Sequence, residues 1–434
     1  MNASLAASTC PPERARLLRT LLPRGTLPVG AGLLVLGGGL YAHLAVAGHT
    51  LPVGAMAGMS VLWSATYLLG LGVFLPVEQE ITRQVAARSA AGDPPGGVVR
   101  RAAALAAGLF AAVAVVLAVA ARPLARSLFG GNIAMVGVLG AAALALAVTS
   151  VSRGTLAGLG RFGAYGSQLA VDGTLRVVLA GSLGLLGARS AVAFGLVLTT
   201  SPLLAVAATA RGLRGALRPG PAAGWHAMSG RLAMLVATML LAQLIINAAV
   251  LSTRLLSPGD PAAVSALLAA AVLARLPLFV FGSLQTSLLP GLAGAAAAGE
   301  RARFRQLLLR GCAVVTILAA GGGVMTVVLG PWLIRILFAA RPVLGRADFA
   351  ALAAGTLCYL LALVLGQAAQ AVSRHHVQLL CWLAGVIALA AVTLAPGEVI
   401  HRVVTGYAAG SFSVALALAA AVSRRSPPGR ARGW

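Results

Sequence analysis

Twelve apolar runs, set off from one another by charged or turn residues, dominate this chain. Each holds about 20 residues, the length a helix needs to cross roughly 30 Å of bilayer hydrocarbon. They fall near 26–48, 52–76, 102–121, 133–152, 166–187, 190–210, 231–252, 262–288, 307–329, 349–371, 376–395 and 400–422. Lipid offers no hydrogen bonds, so backbone N–H and C=O groups in such runs must pair within their own segment, as a helix does. Of 434 residues, 59% are hydrophobic and 10% charged, with mean hydropathy +0.94; a soluble chain has about a quarter of its residues charged. The expectation is an all-α integral membrane protein of about twelve transmembrane helices, without a large soluble domain.

The net charge of +24 would point to nucleic acid in a soluble protein. Here the basic residues stand singly or in small groups between apolar runs, and aromatics, at 5%, are too sparse for a base-stacking platform. No nucleic-acid partner is expected. All 33 basic residues are Arg and none is Lys, which excludes a P-loop, Schiff-base chemistry and the phosphate-contacting lysine of kinases. Cys10, Cys312, Cys358 and Cys381 form neither a C-x-x-C pair nor a metal spacing with His. Gly158 to Gly163 matches G-x-G-x-x-G but follows a membrane run rather than a strand, so it reads as a closely packed helix end. No cofactor, no metal and no covalent catalysis are expected.

Arginine placement sets the orientation. With a cytoplasmic N-terminus, the inner segments carry 23 Arg and the outer ones 8, which puts both termini in the cytoplasm. Residues 1–24 lack the order of a signal peptide, so the first helix is expected to stay attached. The longest basic connection, Arg211 to Arg231, follows the sixth run. It divides the chain into an N-terminal six-helix lobe (1–210), a cytoplasmic linker (211–230), a C-terminal six-helix lobe (231–422) and a basic tail (423–434) that meets anionic membrane lipids. Ala90-Ala91-Gly92-Asp93 echoes 207 positions later as Ala297-Ala298-Gly299-Glu300, the mark of parallel repeats about an axis along the membrane normal.

Ionisable groups at membrane depth cost about 2.5–3.5 kcal/mol each on insertion scales and mark partners or wet cavities. Asp172 and Arg176 share a helix face at i, i+4, either as a self-neutralising structural pair or as part of a cavity lining. Arg275 has no acidic residue within one helical turn, and Pro277 beside it frees a carbonyl. Such an arginine suits bidentate phosphate binding; capping carbonyls or meeting Asp172 across the lobes are its other roles. Gln243 and Asn247 form a polar i, i+4 stripe for a hydroxyl-rich ligand or for interhelical hydrogen bonds. Glu78, Glu80 and Arg83 open a stretch to Arg88 that reads as an interfacial helix with solvated charges, and His43 as a structural histidine.

An ordered set of junctions carries a family resemblance: Pro76-Val77-Glu78-Gln79-Glu80-Ile81-Thr82-Arg83 after the second run, Arg153-Gly154 with Gly158 to Gly163 after the fourth, Ala274-Arg275-Leu276-Pro277 in the eighth and Leu289-Pro290 at its end. With its 6+6 organisation the chain resembles the multidrug/oligosaccharidyl-lipid/polysaccharide (MOP) flippase superfamily, in particular its bacterial O-antigen-type flippases. The resemblance implies a MATE-like fold in the bacterial inner membrane. It implies two lobes around a cavity that opens alternately to each side, moving a polyprenyl-pyrophosphate-linked oligosaccharide outward for cell-envelope polysaccharide synthesis. Arg275 and Arg176 would then hold the head group, and envelope polysaccharide glycosyltransferases or a polymerase would be candidate partners. The chain departs from the family at Ala248 and Ala249, where an acidic residue is expected after Asn247, which puts ion coupling in doubt. Rival readings are a cation-coupled multidrug exporter of the same superfamily and a non-transporting envelope-assembly scaffold. On the flippase reading, Arg275→Ala abolishes translocation at normal expression; wild-type transport in that variant would remove Arg275 from the cavity.

Overall fold

A computed structural model describes residues 26–423, apart from 217, 219–224, 275–287, 290, 297, 340–342 and 373. Arg275, Pro277, Pro290, the first 25 residues, much of the expected linker and the tail from 424 onward therefore lie outside the described residues. The described chain is helical and contains no strand: α1 (Thr26–Thr50), α2 (Val53–Leu69), α3 (Leu75–Ala90), α4 (Gly96–Val119), α5 (Ala121–Leu128), α6 (Ile133–Gly158), α7 (Phe162–Leu185), α8 (Ala191–Thr209), α9 (Trp225–Leu256), α10 (Pro261–Ala274), α11 (Arg301–Phe338), α12 (Arg346–Ala371), α13 (His375–Thr393) and α14 (Val399–Ser423). Counting α2 and α3 as one, 10 described helical segments are long and apolar enough to cross a membrane. The protein is a multi-pass membrane protein. The 24-residue α7 matches them in length but carries Gln168, Asp172 and Arg176, and α10 is the 14-residue described part of the eighth run.

Two departures from the sequence reading have local causes. The second run was expected to stop at 76, with a separate amphipathic stretch after it. Instead α2 passes through a π turn, Gly70–Phe74, into α3, giving one segment of 38 residues. The Leu75 amide reaches back to Gly70 O, one residue further than in an α-helix, and Pro76 falls in the first turn of α3, where a missing N–H costs little. The eight-residue α5 was not anticipated. Its Ala-Arg-Pro-Leu-Ala-Arg-Ser-Leu sequence buries Ala125 and leaves Arg122 and Arg126 exposed, so it lies as a short amphipathic piece after α4.

Small residues decide which helices approach most closely, because lipid supplies no hydrophobic drive between them. Gly32 and Gly39 of α1 face Gly166 and Gly173 of α7, each pair seven residues apart. A Cβ added to Gly39 would overlap Gly173 O, and one on Gly173 would come within 2.5 Å of Val35 O. In the second half, Gly385 of α13 meets Gly410 of α14, and Gly355 of α12 lies under the Tyr407 ring. The result is one bundle of α1–α8 and another in which α11–α14 pack on one another. Helix α9 lies between α13 and α14 on one side and α2 with its π turn on the other, while α10 rests on α2. At the inner end Leu232 of α9 packs into a buried cluster with Phe74, Val77 and Ile81, and further contacts lie at the end that the arginine distribution assigns to the outside. There Tyr41 Oη donates to Val272 O (2.9 Å), Arg254 Nε donates to Leu128 O (3.0 Å), and Gly48 abuts Phe338 O. Gly173→Val is expected to destabilise the protein by about 1–3 kcal/mol, the usual penalty of overpacking. The control Gly181→Val, on the same helix with open space around it, should leave the thermal midpoint in detergent unchanged.

Candidate substrate site

Asp172 is the centre of the most developed polar cluster. Its Oδ1 accepts from Arg176 Nε (2.9 Å), one turn along α7, and from Ser201 Oγ (2.9 Å) on α8; its Oδ2 accepts from Arg153 Nη2 (3.1 Å) on α6. The Asp172 side chain is 3% exposed, Arg176 10% and Arg153 15%. Both carboxylate oxygens are therefore occupied, and three helices are tied to one residue. The i, i+4 spacing found Arg176 but not Arg153, which had been counted as a loop charge; α6 runs on to Gly158 and carries Arg153 into the bundle. The alternative in which Asp172 meets Arg275 of the other lobe involves a residue outside the described ones.

A cavity of about 180 Å³ opens beside this cluster, lined by Arg153, Asp172 and Arg176, by Glu78 from α3, and by Tyr67, Leu71 and Leu198 among others. Arg176 is held to Asp172 through Nε alone, and its two terminal nitrogens hydrogen-bond to no described residue. Arg153 Nε likewise has no partner among the described residues. Glu78 Oε1 accepts from Tyr165 Oη (2.8 Å) and sits in the field of Arg153. Glu80, 3% exposed, accepts from Arg83 (3.0 and 2.5 Å) and from Gln84 (2.7 Å). The expectation of solvated charges along this stretch is thus corrected for both acids. They are drawn inward because the π turn keeps α3 in line with α2, against α6.

The other sequence candidates lie elsewhere. Asn247 is fully buried on α9 and donates to Gln243 O (2.9 Å) and, at 3.3 Å, to Gln243 Oε1, so part of the polar stripe closes on itself along one helix. Gln243 meets Gly72 at the junction of the bundles, whereas Gly70 and Leu71 of the same π turn line the Asp172 cavity. Only the turn stands between the two sets. His43 is fully buried between Trp63 and Phe194, with Nε2 3.1 Å from Phe194 O. A neutral ring donating there fixes the tautomer.

This helical architecture is a MATE-like fold. It superposes on an inward-facing multidrug-resistance MATE family transporter of the MOP superfamily with TM-score 0.73 at 13% identity, covering 92% of this chain and 98% of the other. A MOP superfamily transporter from Pyrococcus furiosus, described by a reversed polarity of its binding pocket, matches with TM-score 0.66 at 15% identity over 92% and 95% of the two chains. A Vibrio cholerae MATE transporter matches with TM-score 0.61 at 17% identity over 94% and 97%. No family model and no curated protein sequence matches the chain.

Removing one member of a buried ion cluster leaves the others uncompensated, which costs about 3–5 kcal/mol. Asp172→Ala should therefore lower the thermal midpoint sharply, and Ser201→Ala, which removes one neutral donor, only slightly. Equal midpoints for Asp172→Ala and wild type would show that Asp172 does not organise α6, α7 and α8.

Proposed function

We propose that this chain is an alternating-access transporter that accepts an anionic head group, and specifically that it flips a polyprenyl-pyrophosphate-linked oligosaccharide outward across the bacterial inner membrane for envelope polysaccharide synthesis. It performs no covalent chemistry. The two bundles are the two lobes, 1–210 and 231–422, joined by the linker 211–230, with 423–434 a basic tail. The carrying observation is Arg176, which lines the cavity and is held to Asp172 through Nε, while its terminal nitrogens hydrogen-bond to no described residue. A planar donor fork held this way is suited to phosphate oxygens. Arg275 on the facing lobe is the second proposed contact, and Gln243 and Asn247 are proposed for the sugar hydroxyls.

The multidrug-transporter descriptions of the structural neighbours favour a second reading, in which a cation-coupled exporter uses the same fold. That reading needs a membrane carboxylate able to take a proton or metal ion; Asp172 already accepts three hydrogen bonds, and Glu78, which lines the same cavity and accepts from Tyr165, is the other candidate. Depletion of the protein in its host, followed by mass spectrometry of the lipid extract, separates the two. The flippase reading expects one polyprenyl-linked saccharide to accumulate, with Arg176→Gln failing to restore the normal profile. An unchanged lipid profile, together with drug-dependent growth that is lost in Asp172→Asn, would replace it with the exporter.

A further inference from the structure

At one end of the second bundle, where α11 and α13 begin and α12 and α14 end, the four helices leave a recess of about 540 Å³. Its walls are apolar, built from Phe304, Leu308, Leu365, Val372 and Val422, and its lining also includes the arginines Arg301, Arg305 and Arg374. Arg301 and Arg305 are exposed on one face of α11, one turn apart. Arg374 is anchored by Nη1, which donates to Ala421 O at 2.7 Å. The nearby acid, Glu300, is engaged by Arg303 at 3.0 Å. Among the described residues neither Arg305 nor Arg374 forms an ion pair. The recess reaches Ser423, and Arg424 and Arg425 follow it in sequence.

A matching recess exists in the first bundle. It measures about 410 Å³ and lies between α4, α6 and the end of α8. Helix α6 lines it with Val148, Val151, Ser152 and Thr155; α12 lines the other with Leu365, Ala368, Ala369 and Val372, at the same i, i+3, i+4, i+7 spacing. The packing of each bundle thus produces the same hollow, but the first has one arginine in its lining, Arg100, and the second has three. Neither recess shares a lining residue with the Asp172 cavity.

We infer that the second-bundle recess is a binding site for an anionic membrane phospholipid. The phosphate rests among Arg301, Arg305 and Arg374, and the upper part of an acyl chain lies along Leu308, Leu365 and Val422. Guanidinium groups donate charge-assisted hydrogen bonds to phosphate oxygens, basic pockets between membrane helices are suited to anionic head groups, and the apolar walls match an acyl chain rather than a free anion. The site is independent of what the central cavity transports.

The test uses the full-length protein, delipidated in detergent and titrated in native mass spectrometry with phosphatidylglycerol, with phosphatidylcholine of the same acyl chains, and with inorganic phosphate. One phosphatidylglycerol should be retained under conditions that strip phosphatidylcholine, and phosphate should not displace it. Arg301→Gln/Arg305→Gln, at exposed positions, should weaken retention about tenfold or more, as expected for lost charged hydrogen bonds, at an unchanged thermal midpoint. Leu308→Trp, which fills the apolar wall and leaves the charge intact, should give a similar loss, whereas Arg100→Gln should give none. Equal retention of the two lipids, wild-type retention in the double variant, or displacement by phosphate alone would overturn the assignment.

Discussion

A carboxylate taken out of water is tolerated only where its charge is met by donors already in place, and Asp172 is the residue on which this structure turns. Its three donors come from α6, α7 and α8, so satisfying one side chain fixes the relative position of three helices. A second polar contact, Ser152 Oγ donating to Gln168 Oε1 at 3.0 Å, joins α6 to α7 one turn away. The face of α7 that carries these groups is turned inward, while Val177 and Val178 stand exposed on the other face. It is covered by α1, and the cover is close because Gly173, next to Asp172 in sequence, and Gly166 before it present bare backbone to α1. Charge burial and small-residue packing are two aspects of a single solution on α7.

The π turn at Gly70–Phe74 connects this charged centre to the rest of the protein. One side of the turn borders the Asp172 cavity through Gly70 and Leu71; the other, at Gly72, receives Leu240 and Gln243 of α9. The same turn keeps α3 collinear with α2 and thereby brings Glu78 to the cavity and Glu80 into the interior.

Much of the fold was legible because a membrane helix writes its length and apolarity directly into sequence: each of the twelve runs coincides with a described helix, though in the eighth residues 275–287 lie outside the described ones. What escaped was set by three-dimensional neighbours. Pro76 and the acidic residues after it look like a boundary, and only the five-residue register change before them shows why the helix continues. Arg153 looks like a loop charge because hydropathy falls near it, while its partner lies 19 residues away on another helix. The pair Asp172 and Arg176 was visible because helical periodicity alone brings the two together; Ser201, 29 residues on, carried no such signal. The eight-residue α5 is too short and too polar to stand out from a loop.

The abundance of arginine then acquires a structural meaning. With 33 Arg and 9 acidic residues, most guanidinium groups cannot find a carboxylate. Helix ends supply another set of acceptors, the last carbonyls of each helix, which carry partial negative charge and lack intrahelical donors. Arg161 donates to Gly212 O (2.5 Å) and Arg214 O (2.9 Å), Arg254 to Leu128 O and Pro258 O, Arg374 to Ala421 O, and Arg402 to Ala395 O. Several of these bonds join one helix to the end of another, which a planar fork of five donors does more readily than a lysine ammonium. The net charge of +24 is accordingly not one field directed at a polyanion. Part of it lies on buried arginines that hold a carboxylate, Arg153 and Arg176, and part on arginines that close helix ends, among them Arg161, Arg254, Arg374 and Arg402.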